Sequence, residues 1–182
     1  PLGRYGNALV VRGEIESSEQ LALTSSTGRE RRSAIVARVR VAGLALTVAA
    51  THLQNERPET GHPDAHVQLD EVVAHLATRP RPWLLLGDLN LGPDEGLDAV
   101  EAAGLRRVDS PPSFPADRPR HSIDWLAVAG LDAVGVEVPH VRTSHHRPVV
   151  ATLAVPPLGS SPRVDQVPSR SVPSPEGGGS EL

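Results

Sequence analysis

The 182-residue chain contains no cysteine and no methionine, and all 18 of its basic residues are arginine. Without cysteine the chain can form no disulfide, no thiolate nucleophile and no thiolate zinc site. Without lysine it can form no Schiff base. Any chemistry must therefore come from carboxylates, imidazoles, amides, hydroxyls or guanidinium groups.

Aromatic residues, long apolar runs and excess charge are scarce as well. The chain has two Trp, one Tyr and one Phe, which offers little surface for stacking single-stranded bases. No apolar run approaches the roughly 20 residues that a transmembrane helix needs. The net charge of −4 gives no basic footprint of nucleic-acid binding, although a bound metal could neutralise a phosphate locally.

Composition divides the chain into a folded domain, residues 1–155, and a tail, residues 156–182. In the tail, 16 of 27 residues are Pro, Gly or Ser. Such a segment buries too little apolar surface to offset its ordering entropy, so we expect it to be disordered. The chain begins with Pro1 rather than methionine, so we expect that the natural start lies upstream.

Hydrophobic periodicity predicts alternating strands and helices in the folded part. A glycine at position 43 predicts a hairpin turn between two apolar runs. Helices are predicted at 64–77 and at 94–103. Pro63 lies just before the first helix, where a helix start tolerates proline. Strands are predicted at 8–12, 34–41, 44–51, 83–87, 123–128, 133–138 and 148–155. The pattern favours a mixed α/β sandwich over a purely parallel sheet.

Polar clusters lie at the ends of the predicted strands, where a rigid scaffold presents functional groups. They combine two carboxylates, an amide and imidazoles, which together can bind a hard metal and move protons. For Asp88 an alternative is an Asx-turn that caps the next element. The clusters are Thr51-His52, Asp88-Leu89-Asn90, Asp124 and Ser144-His145-His146.

These clusters resemble, in identity and order, the motifs of the endonuclease/exonuclease/phosphatase superfamily. WLLLGDLN, which contains Asp88 and Asn90, looks like its GD[F/L]N motif. The resemblance extends over about 145 residues and implies a four-layer α-β-β-α sandwich of the deoxyribonuclease I type, here without its N-terminal half. The other matching segments are YGNAL at 5–9, ERR at 30–32, THL at 51–53, SIDWL at 122–126 and SHHRPV at 144–149.

The resemblance implies a role for each matching residue. His146 would contact the scissile phosphate and help to activate the attacking water, Asp88 would orient or deprotonate that water, and Asn90 would help to position it. His52 would donate a hydrogen bond or act as general acid, and Asp124 would serve at the metal or bond to a catalytic histidine. The expected metal is Mg²⁺ or Mn²⁺, with ligands Asp88, Asn90 and Asp124. The expected substrate-binding residues are Asn7, Arg32 and His145.

Two departures from the family pattern matter. The family's Ser-Asp-His reads Ser144-His145-His146 here, and a neutral His145 would orient His146 less strongly than an aspartate, which predicts weaker catalysis or a shifted pH optimum. The family's principal metal-binding glutamate belongs to the N-terminal half, and nothing before Asn7 supplies it.

The sequence therefore predicts a metal-dependent phosphoesterase that hydrolyses a phosphodiester or phosphomonoester with an activated water. The alternative is a truncated or degenerate relative that acts as a non-catalytic binding module. The substrate class stays open among nucleic acid, phospholipid head groups and inositol phosphates. We expect a monomer when the protein is full length.

Overall fold

A computed structural model describes residues 6–55, 64–141 and 143–155 of the chain. The predicted tail, Tyr5 and Pro63 lie outside these residues. Ten elements follow one another along the described chain, and a six-stranded and a two-stranded sheet contain the strands. In chain order the elements are β1 (Glu14–Ala22), β2 (Ser33–Val41), β3 (Leu44–His52), α1 (Asp64–Ala77), β4 (Trp83–Asp88), α2 (Leu97–Ala102), β5 (Arg106–Arg107), β6 (Asp124–Ala129), β7 (Asp132–Glu137) and β8 (Val150–Ala154).

The large sheet has the strand order β1-β2-β3-β4-β6-β5. Its pairs are antiparallel except β3 and β4, which run parallel and are joined through α1. Because β3 and β4 run parallel and β6 runs antiparallel to them, the C-terminal ends of β3 and β4 meet the N-terminal end of β6 at one edge.

The central strands are buried on both faces, which explains their nearly continuous apolar sequences. On one face, Leu85 of β4 and Ala127 of β6 pack in a core with α1 and α2. On the other face, Val48 and Val128 pack with residues of the β7–β8 sheet. The described residues thus form helix, sheet and sheet layers, in agreement with the predicted mixed α/β sandwich.

Most predicted elements are confirmed, but the strand predicted at 8–12 is wrong and the observed first strand was not predicted. The hairpin of β2 and β3 turns at Gly43, and α1 has the predicted bounds. The segment predicted to be a strand at 8–12 is irregular, and Val10 in it is 93% exposed. The strand that pairs with the outer side of β2, opposite β3, is β1. β1 lacks the apolar alternation of a half-buried strand because it is an exposed edge strand.

The second helix begins three residues later than predicted. Gly96 precedes the helix in a left-handed conformation (φ 74°). The carboxylate of Glu95 accepts a hydrogen bond from the backbone N–H of Gly92, outside the helix. Asp94 and Glu95, which the predicted helix included, therefore belong to a turn. None of the described helices is long and apolar enough to cross a bilayer.

Candidate active site

Strand register places three polar residues side by side at one edge of the large sheet. His52 at the end of β3 pairs with Asp88 at the end of β4, and Asp88 pairs with Asp124 at the start of β6. Paired residues on neighbouring strands lie about 5 Å apart. The Nε2 atom of His52 is 3.4 Å from Oδ2 of Asp88. A histidine and two carboxylates that are far apart in sequence thus form one row.

Gly87 allows β4 to approach β3 directly before this row. Its φ is 144°, and a Cβ atom there would lie 1.8 Å from the carbonyl oxygen of Thr51. A side chain at this position would overlap the backbone of the neighbouring strand. The glycine before Asp88 is therefore a steric requirement of the strand pairing.

Asp88 and Asn90 are held by the buried leucines that alternate with them. Leu89 and Leu91 belong to the core on the helix side of the sheet. The backbone N–H of Asn90, whose φ is 52°, donates to Oδ1 of Asp88 at 3.0 Å, and its side-chain Nδ2 donates to the carbonyl of Leu53 at 3.0 Å. The predicted alternative, an Asx-turn, is thus formed through one oxygen of Asp88, while the other faces the histidines.

His146 comes from a loop and contacts both carboxylates of the row. Its Nδ1 lies 2.9 Å from Oδ2 of Asp124, and its Nε2 lies 3.7 Å from Oδ2 of Asp88. The ring of Phe114 packs against the imidazole with the centroids 4.6 Å apart. The histidine therefore joins the row with one nitrogen fixed by a carboxylate.

Ser113 is a residue of this site that the sequence did not indicate. It is fully buried, and its hydroxyl donates a short hydrogen bond to the same Oδ2 atom of Asp124. Its carbonyl accepts from the backbone N–H of Arg147 at 2.9 Å, and its own N–H donates to the carbonyl of His121 at 3.0 Å. A serine in a proline-rich loop carries no sequence signal, so only the fold reveals that Ser113 connects Asp124 with the segments of Arg147 and His121.

Burial shifts the ionisation of the two central groups in opposite directions. Burial raises the pKa of Asp88, and the nearby charge of Asp124 acts in the same direction while His52 opposes it. Burial lowers the pKa of His52, and the charge of Asp88 opposes that shift. In the absence of a metal, Asp88 is therefore a stronger base than an ordinary carboxylate, and His52 favours its neutral form at neutral pH.

The three residues predicted to bind substrate contact groups outside the row of His52, Asp88 and Asp124 or are exposed. The Asn7 amide donates to the backbone carbonyl of Ser33 at 2.6 Å. The Arg32 side chain is 6% exposed and lies 3.3 Å from a carboxylate oxygen of Glu30, and its charge is near enough to lower the pKa of His52. His145 is exposed. Substrate binding by these residues stays a prediction.

The position of His145 also corrects an expectation about His146. The carbonyl of residue 145 accepts a hydrogen bond from Ala116 at 2.8 Å, while the carboxylate beside the His146 ring is Asp124. Orientation of the imidazole thus does not depend on residue 145.

The donor set suits a hard divalent cation. Asp88, Asp124 and His146 each offer one donor atom, and these atoms lie within 4.8 Å of one another. Carboxylate oxygens are what Mg²⁺ and Mn²⁺ prefer. Since Ser113 and His146 both bond to Oδ2 of Asp124, its Oδ1 oxygen remains for a cation. The side-chain oxygen of Asn90 remains as well, because its nitrogen makes the bond to Leu53.

The row opens into a cleft of about 430 Å³. Asp88, Asp124 and His146 line its polar end, and Leu86 and Leu126 line its apolar part, together with residues of the loop before β8. A group that enters this cleft therefore meets both carboxylates and the imidazole.

Comparison with known proteins identifies the architecture. Residues 1–145 match the model of the Endonuclease/Exonuclease/phosphatase family, whereas a comparison with curated proteins finds no match. The fold resembles that of a Bacteroides thetaiotaomicron mannosyl-6-phosphatase, with a TM-score of 0.66 and 15% identity over 78% of this chain and 67% of that one.

Two further solved structures share the fold. The human Nocturnin catalytic domain with bound sulfate has a TM-score of 0.64 at 18% identity, over 78% of this chain and 59% of that one. D. rerio TDP2 complexed with a single-strand DNA product has a TM-score of 0.61 at 16% identity, over 78% of this chain and 68% of that one. The chain thus spans about two thirds or less of these relatives. The family match and the shared fold show that this chain belongs to the endonuclease/exonuclease/phosphatase family.

Proposed function

We propose that this chain carries the proton-transferring and metal-binding rim of a divalent-metal-dependent phosphoesterase. The observation that supports this most is the position of Asp88, whose Oδ2 lies 3.4 Å from Nε2 of His52 and 3.7 Å from Nε2 of His146. A carboxylate between two imidazoles, with a second carboxylate bonded to one of them, provides groups that can accept, hold and donate protons. The family's neighbours support hydrolysis of phosphoric esters as the reaction class.

In this proposal, Asp88 and His146 prepare the attacking water. The raised pKa of Asp88 brings it closer to that of a useful general base at neutral pH. The Asp124 carboxylate accepts a hydrogen bond from Nδ1 of His146, which fixes the orientation of the imidazole and leaves Nε2 for a phosphoryl oxygen or for water. Asn90 positions the water through its amide oxygen.

His52 serves on the phosphate side. Burial lowers its pKa, so at neutral pH the neutral imidazole can donate one hydrogen bond to a phosphoryl oxygen or to the leaving group. Such a donor is most useful where negative charge develops in the transition state. Asn7, Arg32 and His145 keep their proposed substrate-binding roles.

Asp88, Asn90 and Asp124 would hold the cation, Mg²⁺ or Mn²⁺. A divalent ion bound there would neutralise phosphoryl oxygens and lower the pKa of a bound water. Its charge would also favour the ionised form of Asp88, against the effect of burial.

The proposed substrate is a phosphate ester, with nucleic acid, phospholipid head groups and inositol phosphates as the classes to compare. Because the chain spans 59% to 68% of the three relatives compared here, the assay is best done in the full coding context as well as on the chain itself. We expect hydrolysis of a generic phosphodiester or phosphomonoester with Mg²⁺ or Mn²⁺, and loss of that activity with EDTA.

The variant Asp88→Asn tests the site. It keeps the size of the side chain and removes its charge, so we expect kcat to fall by roughly 100- to 10,000-fold with the melting temperature preserved. Asp94→Asn is the matched control because Asp94 is an exposed residue of the turn before α2. Equal turnover in wild type and Asp88→Asn, or metal-independent turnover, would contradict the proposal. Absence of turnover in the full-length protein would favour the binding-module alternative.

A further inference from the structure

Arg147 lines the same cleft, and contacts to a neighbouring loop hold its backbone and its guanidinium group. Its backbone N–H donates to the carbonyl of Ser113 at 2.9 Å, and its side-chain Nε donates to the carbonyl of Ala116 at 2.7 Å. Arg147 is half-buried and is one of the residues that line the cleft, where it follows His146 in the chain. The Nε bond fixes the plane of the guanidinium, so less side-chain freedom remains to be lost when a ligand binds.

The two terminal nitrogens of Arg147 are available for a ligand. Within the described ranges 6–55, 64–141 and 143–155, neither of them has a hydrogen-bond or ion-pair partner. A guanidinium fork with its outer N–H groups unengaged matches the oxygens of a phosphate, which it can bind with two parallel hydrogen bonds.

The charge of the cleft also calls for a cation at this position. Asp88 and Asp124 line the cleft and would repel a phosphate group. Arg32, the arginine that the sequence suggested for phosphate binding, has a 6% exposed side chain beside Glu30. Among the described residues that line the cleft, Arg147 is the one arginine.

We propose that Arg147 binds the phosphoryl group of the substrate, and the phosphate released from it, through its two terminal nitrogens. This inference rests on the proposed phosphate-ester substrate and adds a residue that recognises it. The Arg147 fork fixes the orientation of the phosphoryl group relative to His146, which directly precedes Arg147 in the same loop. A contact that is equally strong in the bound substrate and in the transition state strengthens substrate binding more than it accelerates the chemical step.

Binding of inorganic phosphate tests the proposal without requiring turnover. We would titrate phosphate into the wild-type protein with Mg²⁺ present and follow amide shifts by NMR, and then repeat the titration with Arg147→Gln and Arg147→Lys. We expect Arg147→Gln to weaken phosphate binding roughly tenfold to a hundredfold, as for the loss of hydrogen bonds to a charged group. Arg147→Lys keeps the charge but not the fork, so it should recover part of the affinity.

Arg118→Gln is the matched control because it removes the same charge from an exposed residue of the adjacent loop that does not line the cleft. It should bind phosphate as the wild type does. In an active enzyme, Arg147→Gln should raise KM more than it lowers kcat, whereas a purely structural role would lower the melting temperature and leave phosphate affinity unchanged in the folded fraction. If Arg147→Gln is too unstable to titrate, the phosphate affinity of Arg147→Lys tests the proposal, which expects it to be lower than that of the wild type.

The outcomes separate this inference from the proposed function. Equal phosphate affinity in wild type and Arg147→Gln, an equal loss in Arg118→Gln, or no phosphate binding by the wild type would each overturn the role of Arg147. Phosphate binding that depends on Arg147, without any turnover by the full-length protein, would refute the proposed hydrolysis and leave the phosphate-binding site in place.

Discussion

The row of polar residues at the candidate active site has two halves that are held in different ways. His52, Asp88 and Asp124 are fixed by backbone pairing between three adjacent strands. His146 lies in a loop and is fixed by side-chain and ring contacts to Asp124 and Phe114. The first half depends on strand register, in which a shift of one residue would turn each side chain to the other face. The second depends on individual contacts, each of which one substitution can remove.

The strand-held half keeps Asp88 in an environment that is unfavourable for its charge, which a loop could relieve by moving. Asp88 stays partly buried beside Asp124, although burial and the charge of Asp124 both raise the pKa of Asp88. It stays there because the paired strands leave its backbone no alternative position. The loop-held half instead concentrates satisfied contacts around one atom, Oδ2 of Asp124, which accepts from Ser113 and bonds to His146. We therefore expect changes that disturb the strand pairing to act mainly on folding, and changes that remove the loop contacts to act mainly on turnover.

The largest expected effect is that of Gly87→Ala. Because the new Cβ would lie 1.8 Å from the Thr51 carbonyl, β3 and β4 would have to separate, at a cost of more than about 3 kcal/mol in the free energy of unfolding. Gly28→Ala is the control, since Gly28 also has a positive φ of 81° but no atom within 4 Å of the added Cβ. It should cost only about 1 kcal/mol. Similar losses for both variants in urea unfolding would show that the strand pairing does not need glycine.

A smaller effect is expected from Ser113→Ala. The substitution removes a buried hydrogen bond to the carboxylate of Asp124, so kcat should fall about tenfold, with a loss of stability of about 1–2 kcal/mol. Ser122→Ala is the matched control, because its hydroxyl bonds to the Ser110 carbonyl and not to the site. If both variants have the same kcat, the orientation of His146 does not depend on Ser113.

The smallest effect is a pH-dependent gain in stability from Asp88→Asn in EDTA. The pKa of Asp88 is raised in the folded state, so the ionised carboxylate destabilises the fold above that pKa and the penalty disappears below the unfolded-state value. The variant should therefore melt at a slightly higher temperature than wild type at pH 7, and the difference should close as the pH falls through the ordinary aspartate range. A difference that widens towards low pH would mean that the folded state favours the charged form.

The sequence predicted the strand-held half well. The runs that became β3 and β4 are apolar on both faces, and a polar residue after such a run marks the edge of a sheet. Asp88 presented two alternatives, a catalytic carboxylate or an Asx-turn, and its two oxygens allow both at once: Oδ1 accepts from Asn90, and Oδ2 faces the histidines.

The remaining features depend on contacts that no local pattern encodes. β1 was missed because both faces of this edge strand are exposed and its sequence lacks apolar alternation. Ser113 and Arg147 meet through a backbone hydrogen bond between two loops that are 34 positions apart, and nothing in either segment predicts that meeting. For Asp124 the sequence left two roles open, at the metal or bonded to a catalytic histidine, and the fold places its Oδ2 against His146.

The most direct test of the account is a double-mutant cycle on kcat with Asp124→Asn and His146→Ala. If strand-held Asp124 and loop-held His146 form one catalytic unit, the double variant should lose about as much activity as His146→Ala alone, because Asp124 acts through the imidazole. Losses that multiply, so that the double variant falls by the product of the two single effects, would show that the residues act independently and would contradict the account.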